Sequence, residues 1–185
     1  MSPLPGGNPS PARSRAGLSL SGPVLPDLLA PGLAVVFCGT AAGAVSAQRG
    51  AYYAGPGNYF WRMLHETGLT PHRFAPGQFP DLLALGIGLT DLNKRQFGQD
   101  ADLDPAHWDV PGLVARLEAC RPARLAFTSK TAAAVALGRP TGALRAGPQD
   151  ATLAGAEVWV LPSPSGQARR FWDAAPWLAL GAAVL

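Results

Sequence analysis

Short apolar runs alternate with helix-like segments along most of this chain, and this alternation constrains the fold more than any other feature. Each apolar run leads into glycine, proline or small polar residues, which is typical of a buried strand entering a loop. The predicted strands cover residues 33–39, 82–92, 124–130 and 157–166. Because a strand followed by a helix usually returns as a parallel strand, we expect an α/β protein. The predicted fold is a three-layer αβα arrangement around a central, mainly parallel sheet of four to five strands.

The segments between these strands have the boundaries of helices. Asn58 stands near the start of the first one and Gly68 at its end. Pro176 lies inside the last one, where we expect a kink. The predicted helices cover residues 57–68, 110–122, 131–138 and 168–185.

The first 23 residues differ in composition from the rest. They are rich in Pro, Gly and Ser, and they carry Arg13 and Arg15. Such a segment has too little apolar surface to form a core. We therefore expect a disordered tail over residues 1–23 and one folded domain over residues 24–185.

Composition excludes several classes of protein. With 48% hydrophobic residues among 185, the chain can bury a sizeable core, and its net charge of +3 permits a nucleic-acid partner without demonstrating one. Two cysteines, Cys38 and Cys120, cannot form a disulfide framework or a four-cysteine cluster within one chain. The three histidines lack metal-ligand spacing, so no metal is expected. No apolar run reaches ~18–20 residues and the N-terminus lacks a signal peptide's apolar core, so we expect a cytoplasmic protein without a membrane partner.

Ligands of parallel α/β sheets bind beyond the carboxyl ends of the strands, which points to the loops 39–43, 88–95 and 161–169. The first loop, "GTAAG", has two glycines four positions apart and Thr40 as its only polar side chain. It lacks the lysine of a P-loop and the third glycine of a dinucleotide fingerprint, which argues against a phosphate cradle. A tight turn between strand and helix remains the alternative interpretation.

Four segments, in order along the chain, resemble the mismatch-specific uracil-DNA glycosylases, relatives of the thymine-DNA glycosylases. They are "DLLAPGLAVVFCG" (27–39) with the loop that follows it, "GPGNYFWRMLHETGLT" (55–70), "GIGLTDLNKR" (86–95) and "VWVLPSPSGQAR" (158–169). The resemblance implies a uracil-DNA glycosylase-like fold and a base excision repair enzyme. Its expected reaction is hydrolysis of the N-glycosidic bond of uracil in G·U-mismatched and other double-stranded DNA.

The resemblance further implies a monomer that needs no cofactor, performs no lyase step and binds duplex DNA with the uracil flipped out. Two positions depart from the family pattern, because its loop asparagine falls at Ala41 and its second asparagine at Ser163. The loss at Ala41 keeps open a catalytically weak protein that binds lesions or abasic sites. An α/β nucleotide-binding enzyme unrelated to DNA is a further alternative.

The matched segments imply a set of site residues. The base pocket would be formed by Thr40, Ala41, Gly43, Ser46 and Tyr53, with Tyr53 as the stacking aromatic and Ser46 near the 5-substituent of the base. Ordinary half-buried packing is the alternative for Tyr53. The turn of Ser165, Gly166 and Gln167, followed by Arg169, would enter the duplex where the base has left it, and Lys130 at a helix start would bind phosphate.

Asp91 is the candidate catalytic residue. It follows "GLT" near the end of the predicted strand 82–92, and Ala41 has no group that could orient a water molecule. A carboxylate at this position could hold that water and stabilise positive charge developing on the deoxyribose. The alternative is that Asp91 caps the next turn or pairs with Arg95.

Overall fold

The structure is a computed structural model that describes residues 21–185. The predicted tail therefore lies outside the described residues up to position 20. The strands are β1 (Val35–Gly39), β2 (Ile87–Asp91), β3 (Arg124–Phe127), β4 (Gly147–Leu153) and β5 (Ala156–Val160). The helices are α1 (Ala44–Arg49), α2 (Phe60–Glu66), α3 (Val110–Cys120), α4 (Lys130–Leu137) and α5 (Ala175–Val184). Among residues 21–185, no helix is long and apolar enough to cross a membrane.

The five strands form one sheet in the order β2-β1-β3-β5-β4. Every neighbouring pair is parallel except β4–β5, which is an antiparallel hairpin. The register places Gly39 beside Asp91 and Cys38 beside Phe127, so β1, β2 and β3 end at the same edge of the sheet. This arrangement confirms the predicted mainly parallel sheet.

Two apolar clusters cover the two faces of the sheet. On one face Phe37 packs against Phe60 of α2 and Trp177 of α5. On the other face Val36 and Cys38 belong to a cluster with α3 and α4. The side chains of alternate β1 residues thus pack into opposite layers, as expected for a strand buried on both faces.

Most predicted elements are shorter in the structure, and two of them differ the most. The run 82–92 is a strand only from Ile87, because Pro76–Leu85 is a 3₁₀ segment that contains Pro80 and ends at Gly86 with φ +73°. The predicted closing helix over 168–185 is interrupted: a 3₁₀ segment (Gly166–Phe171) precedes α5. Pro176 is the second residue of α5 and does not kink it, since proline is well tolerated in the first turn, where its missing N–H costs nothing.

Two elements have weak sequence signals and were not predicted. Strand β4 begins with Gly147 and Pro148 and alternates without a strong apolar face, which suits an edge strand. Its hairpin turn uses Ala154 and Gly155, both with positive φ. Helix α1 is only six residues long and has no side-chain cap.

The segment before β1 lies against the outer edge of β2. Leu28 exchanges two backbone hydrogen bonds with Leu89, and Val24 N–H donates to the carbonyl of Lys94 at 2.7 Å. Gly88 permits this contact, because a Cβ there would lie 2.8 Å from the Leu28 carbonyl oxygen. The middle of the β2 edge is therefore covered at Leu89.

Candidate active site

A cleft of about 900 Å³ opens at the carboxyl ends of β1, β2 and β3. It is bounded by the 39–43 loop, by the start of α4 and by the 163–167 turn. Of the residues predicted for the site, the cleft brings together Thr40, Ala41, Gly43, Ser46, Tyr53, Asp91, Lys130, Ser165, Gly166 and Gln167. Arg169 lies just outside it.

Asp91 lies at the floor of the cleft. It is the last residue of β2, only 4% exposed, and it stands beside Gly39 in the sheet register. A Cβ placed on Gly39 would lie 2.6 Å from Asp91 Oδ1 and 3.6 Å from both Thr128 Oγ1 and the Tyr53 hydroxyl oxygen. The glycine that ends β1 therefore leaves room for a carboxylate and two hydroxyls above it.

Asp91 does not pair with Arg95; its backbone carbonyl instead accepts a hydrogen bond from Arg116 at 3.0 Å. Burial raises the pKa of the Asp91 carboxyl to about 6, an effect that Lys94 and Arg116 oppose and Asp27 reinforces. Near pH 7 the group is therefore mostly an ionised carboxylate that can still accept a proton. Such a value suits a general base.

The 39–43 loop is held in place from two sides. Thr40 Oγ1 donates to Ser129 Oγ at 2.8 Å, and the carbonyl of Thr40 accepts the N–H of Asn93 at 2.7 Å. The carbonyl of Ala42 accepts the N–H of Gly98 at 2.9 Å. Ala41 lies half-buried between these anchors and brings a methyl group to the cleft. The loop thus shapes the cleft without a side chain that could titrate.

Tyr53 forms one wall of the cleft. Its φ of +53° is unusual for a residue with a side chain, and strained backbone of this kind concentrates at functional sites. Its ring stacks on Phe60 with centroids 3.8 Å apart, and its hydroxyl forms a 3.0 Å hydrogen bond with Thr128 Oγ1. Burial, and then the charge of Asp91, raises the pKa of Tyr53 above its ordinary value, so the phenol stays neutral.

Ser46 and Asn58 support this wall. Ser46 is buried, and its Oγ accepts the N–H of Ala54 at 3.0 Å, which fixes the backbone next to Tyr53. Asn58 Oδ1 accepts the N–H of Phe60 at 2.9 Å, so its side chain binds the first residue of α2, whose N-cap position is Tyr59.

The rim of the cleft is exposed and positively charged. Ser165 caps the 3₁₀ segment, whose Gly166 lies against the carbonyl of Pro56, and Gln167 projects into solvent. Arg169 lies over the Tyr59 ring at 5.3 Å. Lys130 is exposed as the first residue of α4, directly after the cap residue Ser129.

Thr128 and Phe171 are among the cleft residues that sequence reasoning missed. Thr128 follows β3 directly and shares the floor with Asp91, so its place at a strand end was the available signal. Phe171 lines the cleft at the rim while 76% exposed, and its ring lies 5.6 Å from the Arg170 guanidinium. An aromatic next to two arginines in "ARRF" was the signal in that case.

Comparison with known proteins agrees with this geometry. The sequence profile of the Uracil DNA glycosylase superfamily matches residues 26–180. The chain therefore belongs to the uracil DNA glycosylase superfamily, and this membership supports a DNA glycosylase role. Its fold is similar to the solution NMR structure of a candidate uracil DNA glycosylase from Methanosarcina acetivorans. The TM-score is 0.60 at 24% identity, over 86% of this chain and 96% of the other.

Proposed function

We propose that this protein is a monofunctional DNA glycosylase that removes uracil from double-stranded DNA, including G·U mismatches, and leaves an abasic site. The observation that carries the proposal is Asp91, a buried carboxylate at the floor of a cleft in a uracil DNA glycosylase fold. It lies where a base and its sugar would enter. No other carboxylate lies at this floor within residues 21–185, since Asp100 and Asp102 are exposed at its margin.

The cleft has the parts that a flipped nucleotide needs. The ring of Tyr53 offers a stacking surface for the base, which is worth ~1–3 kcal/mol. The backbone of the 39–43 loop surrounds the base edge, with Ser46 behind it. The rim residues Gln167, Arg169 and Lys130 would contact the duplex from which the nucleotide is taken.

Asp91 would act on the sugar. The bond between C1′ and N1 breaks, and its electron pair leaves with the uracil as an anion. The ionised carboxylate stabilises the positive charge that develops at C1′ and holds a water molecule against it. The water adds to C1′ and its proton passes to the carboxylate, which the raised pKa of Asp91 favours.

The positions of the two lysines support hydrolysis without a lyase step. A lyase needs an amine that can attack C1′ and form a Schiff base. Lys94 is ion-paired with Asp27 at 2.9 Å, and Lys130 is exposed at the rim. We therefore propose that the abasic strand is left intact.

A labelled duplex with one G·U mismatch tests this function, with matched A·U, G·T and G·C duplexes as substrates for comparison. We expect strand cleavage of the uracil duplexes only after alkali, and none with G·C. Cleavage without alkali would indicate a lyase, and a gel shift without cleavage would indicate a lesion-binding protein. The absence of both a gel shift and cleavage would contradict the proposal. Exposed Asp81, remote from the cleft, provides the control variant Asp81→Asn.

A further inference from the structure

An ion cluster lies next to Asp91 at the covered edge of β2. It consists of Asp27, Lys94 and Arg116, which come from the segment before β1, the loop after β2 and helix α3. Asp27 Oδ1 lies 2.9 Å from Lys94 Nζ, and Asp27 Oδ2 lies 3.5 Å from Arg116 Nε. Thr90 Oγ1 also donates to Asp27 Oδ1 at 2.6 Å. One carboxylate thus joins three elements that meet at the end of β2.

The cluster contacts both sides of the cleft floor. Arg116 uses a second nitrogen to donate to the backbone carbonyl of Asp91 at 3.0 Å. Lys94 donates to the hydroxyl of Tyr52 at 3.1 Å, and that hydroxyl donates to the carbonyl of Pro26 at 3.0 Å. Tyr52 precedes Tyr53 in the chain. The same cluster therefore contacts both the end of β2 at Asp91 and the backbone next to Tyr53, which forms one wall of the cleft.

We propose that Asp27 is a positioning residue for Asp91, and that the Asp27 cluster fixes the strand end that carries Asp91 and adjusts the charge of its carboxylate during the reaction. The inference rests on the function proposed above. Nothing in the cluster needs to touch DNA, because Asp27 acts through Thr90, Lys94 and Arg116.

The charges of the cluster act on Asp91 in opposite directions. Lys94 and Arg116 favour the ionised form of Asp91, whereas Asp27 disfavours it. The other titratable groups around Asp91 are Cys38, Tyr52 and Tyr53, and burial raises the pKa of each, so all three stay neutral. Burial has the largest effect on the pKa of Asp91, and the balance of charges within the cluster adjusts it further.

The test uses two substitutions with opposite predicted effects, Asp27→Asn and Lys94→Met, in the full chain. Single-turnover uracil release is measured from pH 5 to 8, and the ratio of the rate at pH 5.5 to the rate at pH 8 is compared. Removing Asp27 leaves the two cations unopposed, so the acid limb of the profile moves to lower pH and the ratio rises. Removing Lys94 moves the limb to higher pH and the ratio falls. A movement of about half a pH unit would change the ratio about two- to threefold in each direction.

The sign of the change separates positioning from support of the fold. Both substitutions break an ion pair, so a purely structural role would lower the melting temperature in both and leave the ratio unchanged. If the acid limbs of the two pH–rate profiles do not move, or move in the same direction, the inference is overturned. Asp81→Asn is the matched control. Arg116→Met, which should behave as Lys94→Met does, replaces that variant if it fails to fold, and Asp27→Ser replaces Asp27→Asn.

A second readout does not depend on activity. The side-chain carboxyl carbon of Asp91 can be identified in an NMR spectrum as the signal missing from Asp91→Asn, and its titration followed in each variant. If the wild type does not release uracil, the proposed function fails while this titration still tests the cluster. If the wild type is active and the Asp91 titration is the same in all variants, the inference fails alone.

Discussion

The floor and the rim of the cleft are built in opposite ways. At the floor, Asp91, Gly39 and Thr128 are buried and their places are set by the register of three parallel strands. At the rim, Lys130 and Gln167 are exposed, and each lies at the start of a helical segment. Burial makes the charge of Asp91 sensitive to its neighbours, whereas rim charges are screened by water and salt. Substitutions at the floor should therefore change the rate of chemistry, and substitutions at the rim should change DNA affinity.

The largest expected effect is that of Asp91→Ala. Removing the general base should lower the single-turnover rate on a G·U duplex by ~10²–10⁴-fold. Binding should persist because the rim is intact. Asp91→Asn should keep more of the rate, since the amide can still hold water, and adding Ala41→Asn to Asp91→Ala should recover part of the loss. If the single-turnover rate of Asp91→Ala is within about threefold of the wild-type rate, Asp91 is not the general base.

Gly39→Ala tests the floor by displacement. The new methyl group would meet Asp91 Oδ1 at 2.6 Å, so the carboxylate must shift. A displacement of about 1 Å can cost on the order of 10²-fold, and we expect a loss of about 10–100-fold in single-turnover rate with DNA affinity unchanged. Gly142→Ala is the control, because a Cβ there meets nothing within 4 Å. Equal rates for the two variants would show that the space above Gly39 is not needed.

The rim cations should contribute to affinity alone. Lys130→Ala and Arg169→Ala should each weaken duplex binding by about tenfold at low salt. Each should also reduce the slope of log K against log salt by about 0.9 for every phosphate that is no longer neutralised. Fluorescence anisotropy over a salt series measures both quantities. An unchanged slope in both variants would remove these residues from the DNA-binding surface.

Gln167→Ala should have the smallest effect. Gln167 projects from the rim turn, and its amide can bond to the base left unpaired by flipping. We expect the ratio of single-turnover rates on G·U and A·U duplexes to change about threefold, which corresponds to one neutral hydrogen bond. An unaltered ratio would mean that the turn does not contact the opposite base.

The position of Asp91 at the floor could be predicted from the sequence because this residue ends a strand, whereas Thr128 was missed. Asp91 stands directly after a recognisable apolar run, and parallel strand ends converge by topology. Strand β4 could not be predicted, since Pro148 and its polar neighbours look like a loop until β5 pairs with them. The ion pairs of Asp27 could not be predicted either, because its partners Lys94 and Arg116 are distant in the sequence and meet it only through packing along the edge of β2.

The pH dependence of uracil release tests the central claim most directly, namely that an ionised Asp91 performs the chemistry at the floor. Single-turnover rates are measured with saturating enzyme on a G·U duplex for wild type and Asp91→Asn. Because the pKa of Asp91 is raised to about 6, the wild-type rate should be level above pH 7 and should fall about tenfold per pH unit well below 6. The Asp91→Asn rate should be lower and lack this limb. The same acid limb in both enzymes, or a flat profile in the wild type, would contradict the account.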